Sequence, residues 1–290
     1  MRVPRFAILL LCLVPAAAVT APAAAPAVTV PTLVGIRAAH HPTYDRVVFD
    51  FRGGLPSTQV RYVDRLIADA SGLPVRVAGR AILRVRFEPA RAHDASGRTA
   101  PLRRAFALPN LMTAARSGDF EAVTTYGLGL ARRTPFHVFS LRRPNRVVVD
   151  VRAAFPTVSG GVYFLDRDRF AASSEPFFVP RPRPVRPGTP ATGLMDRLFA
   201  GPLPAEQADG LRLLRSRATG WTRLRIDRQV ARVQLTGGCS SGGSTVTIAG
   251  EIMPTLRQLD SVRWVKIYDP AGRTEVPTGR RDSIPACLEP

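Results

Sequence analysis

The pentapeptide Gly238-Cys239-Ser240-Ser241-Gly242 fits G-x-S-x-G. It lies between an alternating stretch, Val230–Leu235, and a stretch with Ile248, Ile252, Leu256 and Leu259 at helical spacing. A strand-turn-helix setting of this kind can raise a serine nucleophile on a sharp turn. Such a serine needs a base within hydrogen-bond reach, and in hydrolases of this type the histidine follows the serine in the chain. Here the four histidines, His40, His41, His93 and His137, all precede it. Lys266, the only lysine, sits in an expected strand, Val262–Tyr268, with no spacing relation to Ser240. The loop therefore reads as a Gly/Ser turn ahead of a helix over about Ser244–Leu259, with Ser241 or Ser244 as the cap. Ser240, Ser241 and Ser244 then form a helix N-terminal loop whose free amides could attract an anion. A serine hydrolase of envelope substrates acting through Ser240 stands as the alternative. Glu121, Asp150, Asp166 and Asp168 form no acid/base pair of recognisable spacing, and no Asp/Glu/His cluster suits a metal. No catalytic residue, metal or cofactor is assigned.

Arg2 and Arg5, the apolar run Phe6–Val14 and the small residues Pro15–Ala18 follow the order of a secretory signal, with cleavage expected after Ala18. The run is too short for a mature membrane span. Leu11 before Cys12, and the few apolar residues ahead of it, argue against a lipoprotein cysteine. Loss of the signal leaves Cys239 and Cys287, an even count that in an exported chain reads as one disulfide. Two free thiols or a metal pair are the alternatives.

The formal charge is +19, carried almost wholly by arginine. One explanation is GC-rich codon usage, which puts Arg where other genomes use Lys, with Ala, Pro and Gly also abundant. The other explanation is attraction to a polyanion, and export points to wall polymers or anionic headgroups. No RNP-type, zinc-finger or helix-turn-helix pattern supports nucleic acid. Candidate contacts are Arg84 and Arg86 on an alternating strand face, and Arg181, Arg183 and Arg186 in a proline-rich edge or arm (180–187).

Residues 19–43 read as a flexible Ala/Pro-rich leader. From Tyr44 short alternating segments recur, and only Leu111–Arg116 hints at a helical turn. This predicts an all-β, sandwich-like domain over 44–153. A linker at 154–161 follows. Residues 162–290 change grammar to β-β-α-β-β-α-β, an α+β domain. It includes a short helix capped by Thr192 and ended by Gly201-Pro202. Pro254 should kink the longer helix, its strain softened because the opposing carbonyl belongs to Gly250. The switch at 156–161 predicts two independently folding units.

The first half resembles the AMIN-like domain of actinobacterial envelope proteins. The resemblance is carried by Tyr44-Asp-Arg-Val-Val-Phe-Asp-Phe51, Tyr62-Val63, Ala92-His-Asp94, Gly118-Asp-Phe-Glu-Ala-Val123, Pro135-Phe-His-Val-Phe139 and Arg146-Val-Val-Val-Asp-Val151. The second half resembles the GerMN (spore-germination) domain through Val162-Tyr-Phe-Leu165, Leu198-Phe-Ala-Gly-Pro202, Ala231-Arg-Val-Gln-Leu235 and Val262-Arg-Trp-Val-Lys-Ile267. The resemblance implies a β-sandwich associated with the cell wall or periplasm, joined to a small non-catalytic α+β module of the ring-building type. It supplies no catalytic residues. The expectation is an exported, non-enzymatic scaffold that binds peptidoglycan, an anionic glycopolymer or an envelope protein, with self-assembly left open. The proline-arginine arm and the cysteine pair depart from the simpler GerMN pattern.

Overall fold

In Tyr44–Arg52 (β2), Asp45, Val47, Phe49 and Phe51 are buried, while Tyr44, Arg46 and Asp50 stay half-exposed on the other face. That period of two requires a sheet with one covered face. β2 pairs antiparallel with Thr32–His41 (β1) on one side and Asn145–Arg152 (β13) on the other. Phe136–Leu141 (β12) completes the order β1-β2-β13-β12. Facing it is a second antiparallel sheet of Ser57–Val63 (β3), Ala81–Glu88 (β6), Val123–Leu130 (β11), Leu111–Phe120 (β10) and Arg103–Ala105 (β9), in that order. Two short ribbons, Leu66–Ile67 (β4) with Pro74–Val75 (β5) and His93–Asp94 (β7) with Gly97–Arg98 (β8), complete the domain. The shared core holds Phe49, Leu83, Val85, Phe87, Tyr126, Leu128, Val147 and Val149, with Phe49 and Phe51 edge-on to Phe87 at 4.9 and 5.1 Å.

This computed structural model describes residues 29–290, so the export signal, its cleavage point and Cys12 lie outside the described residues. Two expectations for this half are corrected. The leader of 19–43 gives way to strand at Thr32, because Leu33 and Ile36 bury in the sandwich and β1 pairs along β2 to His41–Tyr44. Leu111–Arg116 is strand rather than helical turn: it lies between β9 and β11, and Leu111 to Ala115 are all buried.

The second half keeps the expected β-β-α-β-β-α-β frame with three short elements added. Val158–Asp166 (β14) leads through Arg167–Ala171 (α1) to Phe178–Val185 (β15), then Pro190–Ala200 (α2), Pro204–Ala208 (α3) and Leu211–Arg212 (β16). Ala218–Asp227 (β17), Val230–Gly237 (β18), Ala249–Arg257 (α4) and Trp264–Tyr268 (β19) follow. The sheets are β15-β14-β16 and β17-β18-β19, with α4 the crossover that makes β18 and β19 parallel. Leu194, Leu198, Ile248, Ile252 and Leu256 pack the helices onto both sheets. The expected linker is shorter than 154–161, since Val158 to Gly161 already pair with Val185 to Pro182. α2 starts at Pro190 after Thr189, so Thr192 lies inside it, and Gly201 at φ 90° ends it as expected.

The seam between the halves is centred on one side chain. Arg197 on α2 is fully buried and spends all five N–H donors on backbone carbonyls. Nε donates to Pro184 O (3.1 Å). One terminal nitrogen donates to Phe106 O (3.0 Å) and Leu111 O (3.1 Å), and the other to Leu108 O and Pro109 O (3.3 Å). The same 106–111 loop is held from its other side by buried Asp45, which accepts from the amides of Asn110 (2.6 Å) and Leu111 (2.8 Å). A β-domain loop is thus clamped between a carboxylate of the facing sheet of its own domain and a guanidinium of the second domain.

Candidate functional site

The Gly238–Gly242 loop leaves β18 and is closed by the expected disulfide, Cys239–Cys287, with a Cα separation of 5.7 Å. The bond spans 48 residues and ties down the C-terminal tail, a constraint worth about 2–4 kcal/mol. Ser241 N donates to Cys287 O (2.7 Å), and Ser240 N to Ser216 O (2.9 Å). The Ser240 hydroxyl accepts from Gly242 N (3.2 Å), and that of Ser241 from Gly243 N (3.2 Å). Neither serine caps the helix, which begins only at Ala249; nor does Ser244, whose hydroxyl closes a local turn with Val246. Helix geometry is postponed because residues 242–247 turn through Gly242 and Gly243 at positive φ. The amide of Ile248 is met instead by the Ser216 hydroxyl, 3.1 Å away. Lys266 is buried and donates to Val276 O (2.5 Å) and Thr278 O (3.0 Å).

The proline-arginine segment is the edge strand β15, its prolines paired opposite Ser159, Gly161 and Tyr163 of β14. The structure separates its arginines. Arg181 and Arg186 remain half-exposed. Arg183 does not belong with them: it is 2 % exposed, stacks over Phe164 at 5.6 Å and pairs in both forks with Glu206. It shares a strand face with Arg181 and Val185, but α3 covers that face at Arg183, so Arg183 holds α3 rather than an outside ligand. On β6, Arg84 lies opposite Arg61, and burial with the Arg61 and Arg86 charges lowers its basicity. Arg86 pairs with Glu88. These arginines form no single cluster.

A more coherent surface lies on the outer face of the β1-β2-β13-β12 sheet. Register places Arg46 opposite Asp150, with His137 next in that row, and Phe139 opposite Val148. His41 stacks on Tyr44 at 4.6 Å, and His137 on Phe139 at 5.4 Å. Arg46 joins the two pairs, its guanidinium 5.2 Å from the Tyr44 ring and 5.3 Å from the Phe139 ring. Both nitrogens it offers Asp150 are 2.7 Å from the carboxylate, which also raises the Arg46 basicity. Two ring pairs are therefore held by a fixed planar bridge. Beside them a shallow groove of about 510 Å³ is lined by Tyr44, Phe136, His137, Asp150 and Arg152, among others.

Comparison with known families decides the architecture. Residues 31–153 match the AMIN-like domain, and residues 161–268 match the family described as Sporulation and spore germination. The chain is an AMIN-like domain joined to a sporulation and spore germination domain. No curated protein and no solved structure matches the chain. In the AMIN-like domain His40 and His93 are engaged by Asp45 (2.7 Å) and Asp119 (2.9 Å), whereas His41 and His137 belong to the ring pairs. His40-His41 read from sequence as part of a solvated leader and His137 as a core or edge residue. The signal that could have found the platform was the alternation itself, which puts Tyr44, Arg46 and Asp50 on the face opposite Phe49 and Phe51. Among the described residues no group of His, Cys, Asp and Glu could hold a metal. None of the described helices is long and apolar enough to cross a membrane.

Proposed function

We propose that this is an exported, non-enzymatic envelope protein whose AMIN-like domain docks on wall glycan through the His41/Tyr44/Phe139/His137 platform. The single observation that carries this reading is the pair of half-exposed ring stacks fixed by Arg46 and Asp150. Aromatic faces shed water readily against the C–H faces of sugar rings, and a polar rim can satisfy the hydroxyls. A preformed platform loses little side-chain freedom on binding. The spore-germination domain then presents a second surface to envelope partners. The AMIN-like assignment supports an envelope location, and the expected signal supports export.

Sedimentation with isolated peptidoglycan tests this. Tyr44→Ser with Phe139→Ser should lose most co-sedimentation and keep the native circular dichroism, while Ser240→Ala should sediment as wild type. Full sedimentation of the double variant would remove the platform from the mechanism. Covalent labelling of Ser240 by a fluorophosphonate would favour a serine hydrolase instead.

A further inference from the structure

The two domains enclose a cleft of about 180 Å³. Arg76 and Arg80, from the segment after β5, and Arg103 of β9 form its AMIN-like wall, with Arg215, Asp196 and Trp221 across from them. Only Arg80 is neutralised: its Nε donates to Asp196 (2.8 Å) while its guanidinium lies 4.4 Å from the Trp221 ring centre. Arg103 donates to the Arg76 carbonyl (2.5 Å). Among the described residues no carboxylate lies within 4.0 Å of Arg76, Arg103 or Arg215.

That arrangement differs from the treatment of the buried arginines elsewhere in the chain. Arg183 has Glu206 in both forks, and Arg197 has five carbonyls. Arg76, Arg103 and Arg215 keep exposed surface in the cleft, but the protein walls around Arg103 and Arg215 lower the basicity of both. The Arg215 charge adds to the effect on Arg103, and Glu251 opposes it on Arg215. Like charges gathered on the walls of one cleft without a carboxylate partner repel one another, and a bound anion relieves that repulsion. The cleft is small and partly enclosed, and its unneutralised forks exceed what one monocarboxylate can satisfy. A tetrahedral dianion offers each guanidinium an edge of two oxygens.

We propose that the interdomain cleft is a binding site for a phosphate group, a phosphomonoester or an equivalent dianion, held by Arg103, Arg215 and Arg76. It uses none of the platform residues and does not depend on the wall-glycan reading. Because its walls come from both domains, an occupant also crosslinks them.

The full chain is titrated calorimetrically with inorganic phosphate, glycerol 3-phosphate and acetate at constant ionic strength, and its Tm is followed in each. Binding to the native state alone raises Tm with ligand concentration. Both phosphates should bind and raise Tm, and acetate should do neither. Arg103→Gln with Arg215→Gln should weaken phosphate binding at least tenfold and abolish the Tm rise. Its ligand-free Tm should equal or exceed that of wild type, because a repelling pair is gone. Arg280→Gln with Arg281→Gln removes the same charge from exposed positions outside the cleft and should bind as wild type. Flotation with phosphatidylglycerol vesicles but not phosphatidylcholine vesicles, lost in the cleft variant, would assign the phosphate to a lipid headgroup. Phosphate binding without flotation would assign it to a soluble or polymer ester. Undiminished binding by the cleft variant, equal loss in the Arg280/Arg281 variant, or an equal response to acetate would overturn the proposal.

Discussion

Asp196 and Arg197 are neighbours on α2, and burial acts on both, in opposite directions. It pushes Arg197 down to about 9, which leaves it charged at neutral pH, where five carbonyls stand in for water. It pushes the Asp196 carboxyl up to about 6, because desolvation outweighs the pull of Arg80, Trp221 and Arg197. The folded state therefore holds the Asp196 proton more tightly than the unfolded chain, whose value is about 3.8. Stability from this group is complete below pH 3.8 and is lost as pH rises through about 6. Asp196→Asn removes that dependence. Denaturant titrations across this range should show wild type losing on the order of 1–3 kcal/mol relative to the variant as pH rises from 4 to 7. A constant difference would mean that Asp196 stays ionised throughout. Neither residue was legible as a special group, since a charged pair on an amphipathic helix reads as its solvated side. Only the fold shows that this side is covered by the 106–111 loop.

The elements were legible wherever one face was buried and the other wet. β2, β6 and β13 follow from period-two alternation, and β14, β15, β17, β18 and β19 keep the expected order. Misreading came where tertiary pairing overrules local preference. Leu111–Arg116, rich in Leu, Met and Ala, is an interior strand because β9 and β11 lie on either side of it. The start of α4 was misplaced because Ser244 has the chemistry of a cap but spends its hydroxyl on a turn. The 76–80 segment, which carries two cleft arginines, reads from Val75 and Val77 as an alternating strand with Arg76 on its basic face, whereas only Pro74–Val75 is strand and the chain then turns at Gly79. That glycine sits at φ +118°, where a Cβ would lie 2.5 Å from Leu130 O and 2.9 Å from Leu130 N. The next amide, Arg80 N, donates to the same Leu130 carbonyl at 2.7 Å. Gly79→Ala is strained and also pushes backbone against backbone, so it should cost about 2–4 kcal/mol in denaturant unfolding and loosen Arg76 and Arg80. A change under about 0.5 kcal/mol, the level of an ordinary surface substitution, would show that the segment can yield.

At the scale of the molecule, the switch of sequence grammar at 156–161 marks two domains, and both family matches agree with it. Independent folding does not follow from that boundary. Separated from its partner, the spore-germination domain would keep only the Pro184 carbonyl for Arg197, and the 106–111 loop would lose its clamp. The Arg80–Asp196 pair and the Arg80–Trp221 stack also cross the seam. Coupling of this kind makes one unfolding event cheaper than two, because opening either domain alone strands a buried guanidinium or its acceptors. The intact chain should melt in a single calorimetric transition with matching calorimetric and van't Hoff enthalpies. Arg197→Met keeps the bulk and the apolar stem but leaves those carbonyls without donors, a loss on the order of 3–5 kcal/mol. The variant should separate into two transitions, one for each domain, with the wild-type secondary structure retained at low temperature. Two transitions already present in the wild-type chain would mean that the seam contributes too little to couple the domains.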